Sequence, residues 1–157
     1  MRILAFDPGY ERLGVAVLEK NKKEELLFSD CIRTSAKLNF AQRLAELGAA
    51  AEALIKKWGP DAVALEEIFF ENNAKTAMQI AEVRGMLTYV AASSNLPLYQ
   101  YTPAQVKVAV TGNGRADKKA VGVMVRKITS LPAGRQGDDE LDAIAVGITC
   151  LASIRIR

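Results

Sequence analysis

The sequence predicts an α/β fold on a mixed five-stranded sheet, three antiparallel strands followed by two parallel ones, flanked by helices. Two observations predict it. Three strand-length apolar runs succeed one another between Arg2 and Ile32, separated by turn residues and charges, which is the pattern of an antiparallel meander. The apolar period then lengthens to that of a helix and shortens again, giving a strand-helix-strand connection that makes a right-handed crossover to a parallel neighbour.

The first run, Arg2 to Asp7, ends on a carboxylate and turns at once through Pro8 and Gly9. Proline presets φ for a tight turn and glycine tolerates the positive φ of a reversal, so the chain turns back into a second run, Gly14 to Leu18. After a charged turn, Lys20 to Glu25, the third run spans Leu26 to Ile32. Leu38, Ala41, Leu44, Ala45, Leu47, Gly48, Ala51, Leu54, Ile55 and Trp58 recur at helical spacing up to the Gly59-Pro60 stop. Ala62 to Glu66 is a short apolar strand, expected beside the first. Asn73 to Asn95 reads as a helix with a stripe of small residues (Ala77, Ala81, Gly85, Ala92), and Leu98 to Tyr101 as the fifth strand. Pro103 opens a short helix that Gly112-Asn113-Gly114 breaks, and Asp117 caps the next, which runs toward Ser130. Leu131 to Gly137 reads as an irregular linker. The last helix begins in Asp138-Asp139-Glu140 and keeps Leu141, Ile144, Ala145, Ile148 and Leu151 on one face.

At 157 residues, half of them hydrophobic and a quarter charged, the chain is expected to form one domain over residues 1–157, large enough to bury a core without staples. No apolar run approaches membrane-spanning length, and the N-terminus reads as a strand rather than a signal peptide, so a cytoplasmic protein without membrane contacts is expected. Cys31 and Cys150 have no ligand spacing and read as small buried hydrophobes. The chain has no histidine, which excludes serine or cysteine triads, a histidine base and imidazole metal ligands. Residues 1–72 carry 10 Lys/Arg against 12 Asp/Glu, whereas residues 73–157 carry 11 against 6. Seven of these cations lie between Pro103 and Arg135 with one acid, Asp117, a balance that suits a polyanionic partner or a solvated helix face.

If the first strand and AVALE are parallel neighbours, Asp7 and Glu66 end on strands about 5 Å apart, at the sheet edge where α/β folds place their sites. Asp139 and Asp142 are three residues apart and project from one helix face. Acids in a first helical turn also serve as caps, and Asp7 also suits a simple turn. Asp142, however, interrupts an apolar stripe. Carboxylates gathered in a partly buried rim repel one another unless a hard divalent cation neutralises them. All-oxygen ligation points to Mg²⁺ or, as substitute, Mn²⁺, and a pair of ions beside a polyanion-binding surface suits phosphodiester hydrolysis.

Over essentially its full length the chain resembles the RuvC family of Holliday junction resolvases. The resemblance lies in AFDPG at 5–9, CIRT at 31–34, ALEEIFF at 64–70, NNAKTA at 72–77, VRG at 83–85, QVK at 105–107, GNGRADK at 112–118, LPA at 131–133 and DAIA at 142–145. It implies an RNase H-like fold, a two-fold homodimer, Mg²⁺-dependent nicking of two strands at a four-way DNA junction in recombination and repair, and cooperation with the branch-migration proteins RuvA and RuvB. Carried onto matching positions, the catalytic and metal-binding acids are Asp7, Glu66, Asp139 and Asp142. Lys107 and Lys118 match basic residues near the scissile phosphate, with Arg115 and Lys119 as less specific phosphate contacts. Phe69 matches a ring that stacks on an unpaired base, and Phe70 beside it belongs to the same DNA-facing pair; as a pair they also suit the core. Ala5 stands where the family usually has glycine, and the adjacent Asp138 and Asp139 leave the first terminal acid open, with spacing favouring Asp139. Rival readings are another RNase H-like nuclease that trims ribosomal RNA precursors, a non-catalytic junction-binding module, and an actin-like ATPase, for which the chain lacks both length and a phosphate loop.

Overall fold

The computed structural model describes residues 1–67, 74–131 and 136–154. In chain order the elements are β1 (Arg2–Asp7), β2 (Arg12–Lys20), β3 (Glu24–Arg33), α1 (Phe40–Trp58), β4 (Ala62–Glu66), α2 (Ala74–Ser93), β5 (Leu98–Tyr101), α3 (Pro103–Thr111), α4 (Lys118–Thr129) and α5 (Asp138–Ser153). The sheet order is β3-β2-β1-β4-β5. β1 and β2, and β2 and β3, pair antiparallel, whereas β4 lies parallel to both β1 and β5. This is the three-plus-two mixed sheet of the RNase H-like class.

Local chemistry fixes the element ends. The turn after β1 is made without the positive φ expected at Gly9; the glycine is needed for room, since a Cβ there would stand 2.3 Å from the Arg12 carbonyl oxygen. α1 starts with a capping box, Asn39 accepting from the Gln42 amide while the Gln42 side chain accepts from Asn39, and it stops at Gly59, which takes φ +53° as only glycine does cheaply. Thr102 and Gln105 repeat the box at α3, with Pro103 in the first turn and Gly112 at φ +76° after the last. α4 is capped by Asp117 Oδ1, which accepts from the Ala120 amide at 2.7 Å. Two of the downstream cations, Arg126 and Lys127, lie in its last turn, where they oppose the helix dipole. They are thus accounted for without a polyanion.

Strand alternation sorts the sheet into two faces. Ile3, Ala5, Ala16, Leu18, Ala62 and Ala64 pack against α3, α4 and α5, while Leu4, Phe6, Val15, Val17, Val63 and Leu65 pack against α1 and α2. Asp7 and Glu66 continue the first series, so period-2 geometry aims them at the α5 side and Glu67 at the other. α5 itself is buried on nearly every side from Leu141 to Leu151. Its close seat on the sheet depends on Gly147, where a Cβ would stand 2.3 Å from Leu18 Cδ1 and 3.3 Å from the Ala5 Cβ. The extra methyl of Ala5 is therefore met by a residue with no side chain.

The small-residue stripe of α2 divides. Ala77 is buried, whereas Ala81, Gly85 and Ala92 are exposed, flanked by Met78 at 66% and Tyr89 at 70% exposure. Each four-residue step rotates a helical position by about 40°, so the row 77, 81, 85 turns from the core side at Ala77 to the exposed side at Ala81 and Gly85. The helix also ends at Ser93, before Asn95 takes φ +55°. None of the described helices is long and apolar enough to cross a membrane.

Candidate active site

Asp7 and Glu66 close the facing ends of β1 and β4, one register step beyond the Phe6–Leu65 pair. Asp139 and Asp142 come from the first turns of α5, whose start crosses this edge. The approach is made possible by Gly14, the β2 partner of Asp7, because a Cβ there would lie 2.0 Å from the Asp139 carbonyl oxygen and 3.2 Å from the Asp7 Cβ. On the far side of Gly14 its β3 partner is Cys31. Asp7, Gly14 and Cys31 thus form one row across three strands, beneath the start of α5.

Burial pushes the Asp7 carboxyl up to about 8, reinforced by the charges of Asp142, Glu66 and Asp139 in that order. Glu66 is raised to about 7, first by burial and then by Asp142, against the opposing pull of Lys118 and Lys107. Asp142 is raised by burial, partly offset by its hydrogen bond from Lys118. Burial would lower Lys118, but that bond and the Asp142 charge outweigh it and hold the ammonium above its ordinary range. Asp7, Glu66 and Asp142 hence share one electrostatic problem, an excess of negative charge out of water.

Lys118 Nζ, at the start of α4, lies 2.9 Å from Asp142 Oδ2 and 3.6 Å from Asp138 Oδ2. With Glu66, Asp142 and Lys107 it lines a cleft of about 240 Å³ floored by Val106, Val121 and Ala145. Asp138 and Asp139 separate clearly. Asp138 is 76% exposed, whereas Asp139 is 26% exposed and meets Arg12 Nε at 3.6 Å and the Cys31 thiol, which donates across 3.7 Å. As they stand, no three His, Cys, Asp or Glu side chains among the described residues converge tightly enough to cage an ion.

Of the other expected DNA contacts, Arg115 is exposed on the approach to α4 and Lys119 in its first turn, and the Arg115 amide donates to Asn113 Oδ1. Phe69, Phe70 and most of the expected linker lie outside the described residues. Sequence reasoning missed Arg12 and misread Cys31. The Cys31 thiol is half-buried rather than core, because the row it shares with Gly14 ends at the polar rim. Burial and the Asp139 charge raise it. The antiparallel register carried the signal, since it sets Cys31 level with Asp7 once Gly14 is placed between them.

A mixed sheet with acids on its carboxyl edge and a lysine-lined cleft beside them defines an acid-cluster nuclease of the RNase H-like class. Comparison with known proteins narrows this to one family. The family model described as "Crossover junction endodeoxyribonuclease RuvC" matches residues 3–150. A protein of that description from Ruminiclostridium cellulolyticum is 42% identical over 149 residues, covering 94% of this chain and 90% of that one. Another from Caldanaerobacter subterraneus is 43% identical over 149 residues, covering 94% and 90%. Among solved structures, Thermus thermophilus RuvC in complex with Holliday junction substrate superposes with a TM-score of 0.89 at 31% identity, covering 95% of this chain and 92% of that one. The chain belongs to the RuvC family of crossover junction endodeoxyribonucleases.

Proposed function

We propose that this chain resolves four-way DNA junctions by paired, symmetric, metal-dependent phosphodiester hydrolysis in recombination and repair, as one cytoplasmic nuclease domain over residues 1–157. The observation that supports the reading is the placement of Asp7, Glu66, Asp139 and Asp142, from three elements, on one electrostatically coupled rim beside a cleft lined by Lys107 and Lys118. The donors are all oxygen and the charge they hold is in excess, which fits a hard divalent cation. Asp7, Glu66, Asp139 and Asp142 would hold Mg²⁺, or Mn²⁺ as a substitute, two ions per site. When bound, the ions supply activation of the attacking water and neutralisation of charge on the leaving 3′ oxygen.

The protein's own groups do the rest. Asp7 and Glu66 keep their protons near neutrality through burial and mutual repulsion, and would give them up on holding the ions. Arg12 and the Cys31 thiol fix the Asp139 carboxylate, so that it faces the rim. The Lys118–Asp142 pair, 60% and 30% exposed, is worth at most about 1 kcal/mol, so Lys118 exchanges Asp142 for a phosphate oxygen at little cost. Lys107, from α3, supports the same phosphate, and Arg115 and Lys119 hold the neighbouring backbone. Phe69 is proposed to stack on an unpaired base at the junction centre, with Phe70 beside it as a further DNA contact. A two-fold dimer through the Met78, Ala81, Gly85 and Tyr89 face of α2 would present one site to each of the two equivalent strands, with RuvA and RuvB as partners on the junction.

Incubating the purified protein with Mg²⁺ on a mobile four-way junction, linear duplex, RNA–DNA hybrid and single-stranded RNA tests the proposal. Paired ligatable nicks at symmetric junction positions are expected. Preferential cutting of RNA would instead support ribosomal RNA processing, and junction binding without metal-dependent turnover a binding module.

A further inference from the structure

On the far side of Asp139 from Lys118 lies a second cleft, of about 330 Å³, lined by Glu11, Arg12, Arg33, Thr34, Ala36 and Arg43. Its three arginines come from three places: the start of β2, the end of β3 and the first turn of α1. Composition hides them, since this half of the sequence has no positive excess.

The cleft carries more positive charge than it balances. Arg12 and Arg33 stand directly opposite one another in the β2–β3 register, and like charges in that relation destabilise an antiparallel pair. Arg12 reaches only Asp139, at 3.6 Å, and Arg33 has no ion-pair partner among the described residues. The Arg43 side chain is only 11% exposed, and its guanidinium meets Glu11 only at 3.7 Å, where Glu11 is 63% exposed. Stacking on the Tyr10 ring, 5.8 Å from its centroid, and a bond from Nε to the Leu38 carbonyl hold it in place. The walls are tied together as well, by the Thr34 amide donating to the Glu11 carbonyl at 3.1 Å and the Thr34 hydroxyl to the Tyr10 carbonyl at 2.7 Å.

Three guanidiniums, that of Arg43 held in place, against the carboxylates of Glu11 and Asp139 leave a positive excess that suits a tetrahedral oxyanion with fork geometry, which arginine recognises better than lysine does. Arg12 makes the cleft continuous with the acid rim. We infer that this cleft binds a backbone phosphate of the DNA, on the side of the cut opposite Lys107 and Lys118, so that the strand is gripped on both sides of the acids. The inference rests on the junction-nuclease reading and adds to it a second phosphate site.

Arg33 is the residue to change, because it is exposed and touches neither acid nor core. Junction binding should be measured from low to moderate salt for the unmodified protein, Arg33→Gln and Arg33→Lys, with thermal melts to confirm folding. Arg33→Gln should reduce the magnitude of the log affinity against log salt slope by about 1, and Arg33→Lys should restore most of it. Single methylphosphonate substitutions along the strand should then reveal one position that weakens the unmodified protein but not Arg33→Gln. An unchanged slope, with every methylphosphonate effect retained in Arg33→Gln, would overturn the inference, and would leave an acidic protein partner as the ligand of the cleft. If the protein shows no preference for junction over duplex yet Arg33→Gln still flattens the slope, the phosphate site stands and the junction reading falls.

Discussion

Asp138 and Asp139 differ by one position and by everything around them, one open to solvent beside Lys118 and the other held by Arg12 and Cys31. Asp7→Asn, Glu66→Gln, Asp139→Asn and Asp142→Asn are each expected to cut junction cleavage by at least about 10²-fold while sparing binding, because a ligand is lost rather than a phosphate contact. Asp138→Asn should cost less than about tenfold; single-turnover cleavage by all five variants checks the assignment, and a harmless Asp139→Asn would refute it. The raised acids also make a pH prediction. Asp7 and Glu66 retain protons up to about 8 and 7 when folded, against 3.8 and 4.5 when free, so the folded state binds more protons than the unfolded one between about pH 4 and 8. Stability without divalent ions must therefore fall as pH rises through that window. Urea midpoints at pH 5 and 8 should show the fall, Asp7→Asn should reduce it, and added Mg²⁺ should stabilise more at pH 8, where fewer protons must be displaced. A midpoint that rises with pH would contradict the electrostatics of the rim.

Among the elements, α5 and the strands beneath it set the site, and two glycines separate stability from geometry. At Gly14 an added methyl meets the Asp139 carbonyl, whereas at Gly147 it meets the end of Leu18 and the Ala5 methyl. Both Gly14→Ala and Gly147→Ala should destabilise by about 1–3 kcal/mol. Only the first should also lower cleavage per folded molecule, since it forces Asp139 away from Asp7; equal residual activities would show that the α5 start tolerates displacement. Elements of this kind were legible in the sequence. β4 and β5 fall at the residues read from apolar runs, and α1, α3 and α4 at those read from Gly59, Pro103 and Asp117, because local turn and cap chemistry decides those ends. β2 and β3 extend beyond their apolar runs, since a meander continues pairing through the polar Arg12, Lys20 and Glu24. Contacts between distant segments were not legible. Arg12 and Cys31 reach Asp139 through register and helix placement, and a single chain of letters does not print either.

For the molecule as a whole, the exposed Met78, Ala81, Gly85 and Tyr89 give α2 an apolar outer face that the chain leaves uncovered among the described residues. Ala81→Arg is expected to yield a folded monomer, seen by sedimentation, that cuts single strands without pairing the cuts; a dimer surviving that change would move the interface elsewhere. The enclosed seat of α5 has a different consequence. Every residue of α5 from Ala143 to Leu151 is buried, so deuterium should enter these amides only when the entire chain opens, at the free energy of global unfolding. Asp142, which borders that segment, therefore lacks a cheap local route to rearrangement, whereas Asp139 lies in the turn ahead of it. Whatever the protein yields to fit a branched duplex is expected to come from its periphery, from the arginine-bearing strand ends and the head of α4, while Asp142 stays tied to the core beside it.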